Sequence, residues 1–316
     1  MSVNSSLRSV AVRVPATSAN LGPGFDTLGL ALSAYDELTI TALPAGELDI
    51  SVTGSGADEI PVDESNLIAR TVRYAYESVG VAAPGLRIDA RNGIPHGRGL
   101  GSSGSAVVAG LLAAKGLLEG RAEFSDADLL RLATELEGHP DNVAPALFGG
   151  LTIAWTDDET PRHTKLLVHR GVAPVVFVPD RTMSTSTARS VLDPAVSRED
   201  AVFNVSRSAL LIAALTQSPE LLMAATEDRL HQERRAQAMP ETDALVRALR
   251  AEGFAAVVSG AGPSVLVLAD GPGRRLEAAA LAERHTGGTW QALMLAVDFL
   301  GGTVREPAEG ASLHEL

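Results

Sequence analysis

The residues best suited to chemistry lie in a stretch rich in glycine and serine, at positions 94–105. Apolar residues follow it at three- and four-residue steps, which predicts a helix that begins near Ser102 and ends at Gly120. Alternating apolar residues at 86–90 predict a strand before it. A strand, a glycine loop and a helix start form a phosphate site, because unpaired backbone N–H groups and the positive helix end converge on an anion. The alternative is a tight connection without a ligand, since glycine is also common in turns.

Two familiar phosphate loops do not fit this stretch. Residues 99–104 match the glycine pattern of a dinucleotide-binding loop, but that loop opens at the end of its strand, and here residues 92–98 intervene. A Walker A loop needs a lysine before Ser or Thr, and the only lysines, Lys115 and Lys165, lie elsewhere. The D-F-G motif of protein kinases is also missing, because Asp298 and Phe299 are followed by Leu300 and not by glycine.

Composition narrows the class of protein and of partner. The chain has 316 residues, enough for two modest domains with cores of their own. A net charge of −13 disfavours nucleic acid as a partner. No apolar run approaches the roughly eighteen residues that cross a bilayer, and the first residues lack the layout of a signal peptide. The chain has no cysteine, which fits a reducing compartment. We expect a soluble, cytoplasmic protein without a membrane partner.

The elements that must position the glycine stretch are read from apolar periodicity. Strands are predicted in the first half around residues 10–14, 38–40 and 48–52, and residues 15–26 are predicted to form a loop. Ser125 and Asp128 have the spacing of a capping box at the start of a helix that carries Glu135 and Glu137. In the second half, the strands at 254–258, 265–269 and 291–298 and several helices predict an antiparallel sheet covered on one face. The predicted helices of that half lie at 184–192, 198–215, 219–238, 240–252 and 274–285.

The fold class that follows is α+β with two domains. The polar run at 156–163 is the best boundary, so we predict an N-terminal domain over residues 1–160 and a C-terminal domain over 161–304. Residues 305–316 are predicted to form a mobile tail.

Three blocks in order along the chain carry a family resemblance. The glycine stretch reads P-x-x-x-G-L-G-S-S from Pro95 to Ser103, the first block is PATSANLGPGFD at 15–26, and the third is SGAGPS at 259–264. Together they resemble the superfamily of galactokinase, homoserine kinase, mevalonate kinase and phosphomevalonate kinase. The first block and GHPDNVAP at 138–145 are most similar to its homoserine kinase branch. The resemblance implies an N-terminal domain like domain 2 of ribosomal protein S5 and a ferredoxin-like C-terminal domain.

By this resemblance, ATP binds to the glycine stretch and Mg²⁺ assists. Ser103 would contact Mg²⁺ or the β- and γ-phosphates, although its hydroxyl could equally cap the helix. Magnesium prefers oxygen ligands, and Glu135 fits the family context best, with Glu137 second. Two positions apart on a helix, these carboxylates point about 200° apart, so one of them faces the site. The residues implied for ATP are Asn66, near the adenine, and Pro95, His96, Gly97, Arg98, Gly99, Leu100, Gly101, Ser102, Ser103, Gly104 and Ser105.

The same resemblance implies the residues that hold the acceptor. Asp141 matches an aspartate near the acceptor hydroxyl, where it acts as a base or positions the hydroxyl; its alternative role is a helix cap. Asn20 and Asp26 match positions that hold the amino group and the hydroxyl end of the acceptor, and Asn142 is a further residue implied for acceptor binding. Arg189 and Arg235 match arginines that clamp its carboxylate, for which the planar guanidinium is well suited.

The expected activity is therefore the ATP-dependent phosphorylation of the L-homoserine hydroxyl to O-phospho-L-homoserine, in threonine biosynthesis. Two alternatives stay open. Another small-molecule kinase of the superfamily, of the mevalonate type, would leave Asp26 without a cationic partner. A ligand-binding relative without catalysis would not need Ser103, a glutamate and Asp141 together. A homodimer is a further expectation.

Overall fold

The computed structural model describes residues 7–307 of the chain. It contains two sheets with helices packed on them, so the predicted α+β class is confirmed. The six residues before this range and the nine after it, which include most of the predicted tail, lie outside the described residues.

The first sheet is organised around one long strand, β2 (Gly24–Leu43). β2 pairs along its length with β1 (Ser9–Asn20), and its two ends pair with different further strands. Residues 28–30 pair with β5 (Leu151–Asp157), and residues 36–43 pair with β4 (Gly85–Asn92). The sheet is completed by β3 (Leu48–Gly54), β6 (Thr160–Leu166) and β11 (Thr303–Arg305).

Four helices pack with this sheet and form its core. Their bounds are α1 (Leu67–Ser78), α2 (Ser102–Leu117), α3 (Asp126–Glu137) and α4 (Pro140–Phe148). The central helix α2 is buried nearly all round, since it contacts α1, α3, α4 and β1 at once. A helix in that position must be apolar on every side, as its sequence is. Its first residue and the capping box of α3 lie where the sequence predicts.

The second sheet is antiparallel, in the strand order β10-β7-β9-β8. Its strands are β7 (Val172–Val178), β8 (Ala256–Val258), β9 (Val265–Asp270) and β10 (Gln291–Met294). The helices of this half are α5 (Thr185–Ser190), α6 (Arg198–Thr216), α7 (Leu222–Ala225), α8 (Gln232–Arg235), α9 (Pro240–Ala251) and α10 (Pro272–Thr286).

The two halves share a buried core. Leu21 and Leu100, from the first half, belong to the same apolar cluster as Leu211, Val257 and Leu266 of the second half. Burying apolar surface between the halves stabilises their arrangement, at roughly 25 cal/mol for each Å² removed from water. The cleft between them is therefore held in place by packing.

Two local predictions are wrong. Residues 15–26 are not a loop: β1 continues to Asn20 and β2 begins at Gly24, and this stretch is almost wholly buried, so apolar alternation does not mark it. The helix predicted at 219–238 is broken. Asp228 accepts hydrogen bonds from the backbone N–H groups of residues 230, 231 and 232, which starts a new turn there.

The predicted boundary at residue 160 is also displaced. The polar run at 156–163 turns inside the hairpin of β5 and β6, so the first sheet extends to Leu166. β11 returns from the far end of the chain and pairs with β1, and Arg305 is a strand residue opposite Ala11 rather than part of a mobile tail. Turn-forming residues mark hairpins as well as linkers, which explains the difference.

Candidate active site

A cavity of about 190 Å³ lies where the two halves meet. The glycine stretch forms one wall, and the start of α4, helix α5 and the loop at 259–262 form the others. The predicted site residues that line it are Asn20, Asp26, His96, Gly97, Gly99, Gly101, Ser102, Ser103, Glu137, Asp141, Asn142, Arg189 and Arg235.

The glycine stretch presents backbone donors to this cavity. Gly97, Gly99 and Gly101 have positive φ angles of 63°, 76° and 69°, which other residues rarely adopt. Within residues 7–307, the N–H groups of residues 101–104 donate to no other backbone group. They sit at the start of the sixteen-residue helix α2, where the helix dipole adds positive potential. The wall is thus suited to bind phosphate oxygens.

Close packing explains two of these glycines. A Cβ atom at Gly101 would lie 1.9 Å from Thr17 Oγ1, and one at Gly99 would lie 2.3 Å from the Ser259 carbonyl oxygen. Ser259 also donates a hydrogen bond of 2.7 Å to the Gly99 carbonyl. The loop at 259–264 therefore packs directly on the glycine stretch and fixes its path.

Ser103 and Glu137 meet at the mouth of the phosphate wall. The Ser103 hydroxyl donates to Glu137 Oε2 at 2.8 Å. Ser103 is not the cap of α2, because Gly101 occupies that position in a left-handed conformation. Burial raises the pKa of Glu137, while the hydrogen bond from Ser103 opposes that shift. A hydroxyl and a carboxylate at this separation are oxygen donors of the kind that Mg²⁺ takes in proteins.

Glu135 lies away from the cavity, which reverses the order in which the sequence ranks the two glutamates. It accepts hydrogen bonds from Tyr74 at 2.6 Å and from Arg131 at 2.8 Å, on the exposed side of α3. The hydrogen bond from Tyr74 lowers the pKa of Glu135. The helical geometry correctly limits the pair to one inward residue. The buried face of α3, which packs against α2, α4 and β6, orients the helix so that Glu137 is that residue.

Several residues implied for ATP do not line the cavity. Asn66 is buried and caps α1, with its Oδ1 accepting from residues 68 and 69 and its amide donating to Pro61. Ser105 donates to the Pro15 carbonyl, and Arg98 donates to the carbonyls of residues 179 and 180. The others outside the lining are Pro95, Leu100 and Gly104, all buried beneath it.

Asp141 is paired with His139, a residue for which the sequence predicts no role. His139 Nδ1 lies 2.6 Å from Asp141 Oδ1, and this hydrogen bond raises the pKa of the histidine. Asp141 is buried in the first turn of α4, whose cap position is taken by His139 and not by Asp141. Asp141 Oδ2 makes no hydrogen bond within the described range. The neighbouring His-Pro-Asp order is the only sequence signal for this pair.

The side-chain amides of Asn20 and Asn142 form hydrogen bonds between different walls of the cavity. Asn20 donates to the Gly260 carbonyl at 2.9 Å and accepts from the Asp26 backbone N–H at 3.0 Å. Asn142 also lines the cavity; its Oδ1 accepts from Thr17, and its amide nitrogen makes no hydrogen bond within residues 7–307. Asn20 and Asp26 both have positive φ angles, of 68° and 52°. Such conformations in non-glycine residues recur at functional sites.

The two predicted arginines are held in different ways. Arg189 makes a two-point ion pair with Asp26, at 3.0 and 2.7 Å. Arg235 is 2 % exposed and donates only to neutral acceptors, the Ala188 and Gly260 carbonyls and His231 Nδ1. Among residues 7–307 it has no carboxylate within ion-pair distance, and burial lowers its pKa to about 10. A buried guanidinium with no carboxylate in direct contact attracts an anionic ligand.

His231 and Phe25 pack against the Arg235 side chain. The His231 Nε2–H donates to the Gly22 carbonyl at 2.8 Å, so Nδ1 carries the lone pair that Arg235 meets. Burial lowers the pKa of His231, which keeps the ring neutral as this arrangement requires. Phe25 stacks on His231 with ring centres 5.0 Å apart. Neither residue is predicted from the sequence, because the contacts join positions more than two hundred residues apart.

Comparison with known proteins identifies the family. A profile of the GHMP kinases N terminal domain matches residues 66–150, and one of the GHMP kinases C terminal region matches residues 210–285. A homoserine kinase of Leifsonia xyli is 63% identical over 309 residues, covering 98% of this chain and 96% of that protein. The chain belongs to the GHMP kinase family. A homoserine kinase of Clavibacter michiganensis is 62% identical to this kinase and covers 96% of both chains.

Solved structures agree with this kinase in fold. A homoserine kinase from Cytophaga hutchinsonii has a TM-score of 0.82 at 26% identity, covering 96% of this kinase and 100% of that chain. The L. major mevalonate kinase in complex with R-mevalonate has a TM-score of 0.67 at 16% identity, covering 93% and 96%. This second likeness shows the fold alone.

Family membership makes this kinase a user of ATP. In residues 7–307, no helix combines the length and apolarity of a membrane span.

Proposed function

We propose that this kinase transfers the γ-phosphoryl group of ATP to the side-chain hydroxyl of L-homoserine, giving ADP and O-phospho-L-homoserine on the route to threonine. The observation that carries the choice of acceptor is Arg235, a buried guanidinium that faces the cavity without a carboxylate partner. An acceptor with a carboxylate supplies the missing charge. The homoserine kinases that are more than 60% identical over nearly the whole chain support the same choice.

The cavity offers groups for each end of this acceptor. Arg235 and Arg189 attract the carboxylate, and Asp26 attracts the ammonium group. Asn142 can donate its amide to the hydroxyl end, since Thr17 occupies only its oxygen. Mevalonate has a carboxylate but no ammonium group, so a mevalonate-type kinase would leave Asp26 without a cationic ligand.

Asp141 is the residue that we assign to the acceptor hydroxyl. Its Oδ1 is held by His139, which leaves Oδ2 to accept the hydroxyl proton as the new phosphate ester bond forms. A phosphoryl transition state with little bond formation to the nucleophile does not need a strong base, so orientation of the hydroxyl by Asp141 is a large part of this role. The Asp141 carboxylate accepts in this hydrogen bond, so His139 Nδ1 carries the proton and the ring is the donor.

Magnesium fits the donors present, and we assign Ser103 and Glu137 to it. Within the described residues no group of three or more ligating side chains could hold a metal, which suits an ion that takes most of its ligands from phosphates and water. When bound, the ion would neutralise phosphate charge. The proposal also includes a cytoplasmic location, as biosynthesis of an amino acid implies, and a homodimer, for which light scattering is the direct test.

A coupled assay of ADP release tests the proposal. Purified protein is compared on homoserine, mevalonate, galactose, serine and threonine at equal ATP and Mg²⁺. We expect homoserine to give the highest kcat/KM. Mevalonate lacks the ammonium group, and one missing charged contact costs about 1.5–3 kcal/mol, or roughly tenfold to a hundredfold. Serine and threonine keep both charged groups but carry the hydroxyl one carbon closer to them, so it is misplaced for phosphoryl transfer. Turnover of mevalonate above homoserine would favour the mevalonate-type kinase. Absence of turnover with every alcohol, in a folded protein, would favour a ligand-binding relative.

A further inference from the structure

The two charged groups expected to hold opposite ends of the acceptor are bonded to each other. Asp26 Oδ1 lies 2.7 Å from Arg189 Nη2, and Asp26 Oδ2 lies 3.0 Å from Arg189 Nη1. Both side chains line the cavity and both are partly exposed, at 36% and 38%. The hydrogen bond to Asp26 raises the pKa of Arg189. In this arrangement Arg189 occupies at Asp26 the place that an ammonium group would take.

Arg235 does not share this arrangement. Its Nε and Nη1 groups donate to neutral acceptors, and its Nη2 group makes no hydrogen bond within residues 7–307. Phe25 lies beside both guanidinium groups, 5.9 Å from that of Arg189 and 5.6 Å from that of Arg235. A carboxylate can therefore bind to Arg235 directly. At Arg189, the two N–H groups that face Asp26 become available to a carboxylate only after the bond to Asp26 opens.

We propose that the acceptor's ammonium group displaces Arg189 from Asp26, and that the released guanidinium then joins Arg235 on the acceptor's carboxylate. This inference rests on the proposed function and deepens it, because it couples recognition of the two ends. A hydroxy acid without an amine would find Arg189 still bonded to Asp26. An amino alcohol without a carboxylate would leave Arg189 unpaired. The pair thus selects for zwitterions.

The surroundings allow the side chain of Arg189 to move without repacking the core. Helix α5 is only six residues long, and Ala188 is its one buried residue. Ala188 anchors the helix through its carbonyl, which accepts from Arg235 Nε at 3.1 Å. The Arg189 side chain has no hydrogen bond in the described structure other than the two to Asp26. Arg189 can therefore move from Asp26 to the carboxylate of the acceptor by rotation of its side chain alone.

Asp26→Asn is the variant that tests the coupling. The φ angle of Asp26 is 52°, a left-handed conformation that asparagine also tolerates, so the backbone is expected to stay as it is. The backbone N–H at this position would still donate to Asn20. Loss of the carboxylate charge should release Arg189 in the absence of any ligand.

The probe is 4-hydroxybutyrate, which is homoserine without its amino group. Its affinity is measured by ligand-observed NMR titration on wild type, Asp26→Asn, Arg189→Gln and the double variant. We expect Asp26→Asn to bind 4-hydroxybutyrate about threefold to tenfold more tightly than wild type, since no ion pair has to open and one charged contact is added. The double variant should lose this gain, and Arg189→Gln alone should stay within about twofold of wild type.

Homoserine should behave in the opposite way. Its affinity should fall in Asp26→Asn and in Arg189→Gln, because in each variant one charged end of the acceptor lacks a partner. Arg234→Gln is the matched control, since Arg234 is an exposed neighbour of Arg235 that pairs with Asp193 at 3.2 Å. It should match wild type with both ligands.

Three results would overturn the coupling: no gain in Asp26→Asn, a gain that survives in the double variant, or equal losses of both ligands in Arg189→Gln. Wild-type turnover of homoserine is measured in the same series. If wild type does not phosphorylate homoserine, the proposed function fails and this inference with it. If wild type does so and the binding pattern is missing, only the coupling fails.

Discussion

The phosphate side and the acceptor side of the cavity are built in different ways. The phosphate side is one continuous stretch, residues 96–105, that offers backbone N–H groups and needs glycine for its path. The acceptor side is assembled from single side chains on β1, β2, α4, α5 and α8. Outside the glycines, backbone donors tolerate changes of side chain, whereas a charged side chain is lost with one substitution. Substitutions on the two sides should therefore change different kinetic constants.

The largest effect on activity is expected for Glu137, a side chain that lines the phosphate side of the cavity. Glu137→Gln should lower kcat by about two to three orders of magnitude, the scale of losing one transition-state contact, while the KM for ATP changes less than about threefold. The backbone donors remain, so nucleotide binding should persist. Steady-state kinetics over a range of Mg²⁺ concentrations measures both constants. A kcat within about threefold of wild type would remove Glu137 from the metal site.

The next effect belongs to the acceptor side. Arg235→Lys should raise the KM for homoserine by about tenfold to a hundredfold, which corresponds to about 1.5–3 kcal/mol for a charged hydrogen bond, and should leave the KM for ATP within about twofold. Lysine keeps the charge but lacks the planar fork. Arg234→Lys, on the adjacent exposed residue, is the control, and thermal unfolding checks the fold. The KM for 3-aminopropanol, which has no carboxylate, should change little; an equal loss would mean that Arg235 supports the fold or the nucleotide instead.

The same contrast explains what the sequence could predict. The local structure on the phosphate side could be predicted because its signals are local: glycine spacing, the start of α2 at Ser102 and the capping box at Ser125 all lie within a few residues of what they determine. The residues that the family resemblance implies for the acceptor all line the cavity; they are Asn20, Asp26, Asp141, Asn142, Arg189 and Arg235. Their pairing could not be predicted, since the Asp26–Arg189 contact joins positions 163 residues apart.

The errors have the same physical origin. Helical geometry predicts that only one of Glu135 and Glu137 faces inward, but the choice depends on how the buried face of α3 packs against α2, α4 and β6. The break in the predicted helix at 219–238 depends on Asp228, whose carboxylate binds the N–H groups that a continuous helix would use internally. Nothing in the sequence around Asp228 indicates that its side chain ends one helix and starts the next. In each case a tertiary contact overrides the local pattern.

A third prediction concerns the anchor at the start of the phosphate side. Asp36 Oδ1 accepts from the backbone N–H groups of Gly93 and Ile94, both at 3.0 Å, and burial raises the pKa of Asp36 to about 6. A raised carboxyl pKa means that the folded protein holds a proton that the unfolded chain has lost above about pH 4. The free energy of unfolding therefore falls as pH rises from about 4 to 6. Above pH 6 it stays lower by the cost of burying the ionised Asp36 carboxylate.

Asp36→Asn should remove that cost while its amide oxygen still accepts both N–H groups. We expect the variant to be more stable than wild type by about 1–3 kcal/mol at pH 7.5, because each tenfold difference in proton affinity between the folded and unfolded states is worth about 1.4 kcal/mol. Near pH 4 the two proteins should be equally stable. Urea unfolding at the two pH values measures the difference. A stabilisation independent of pH, or a loss at pH 7.5, would show that the charge of Asp36 is compensated in the folded protein.

The smallest effect is expected for Glu135→Gln, which matches Glu137→Gln in chemistry and lies one half-turn away on α3. Glu135 bonds to Tyr74 and Arg131 on a surface where its side chain is 42% exposed, so solvent screens the charge. Stability should fall by less than about 1 kcal/mol, the usual limit for an exposed pair, and only above the lowered pKa of Glu135. Both kinetic constants should stay within about twofold of wild type. If instead Glu135→Gln lowers kcat as much as Glu137→Gln does, the end of α3 acts as a unit on the phosphate side, and the side-chain contribution there cannot be assigned to one carboxylate. Parallel assays of the two variants at saturating ATP and homoserine decide between these outcomes.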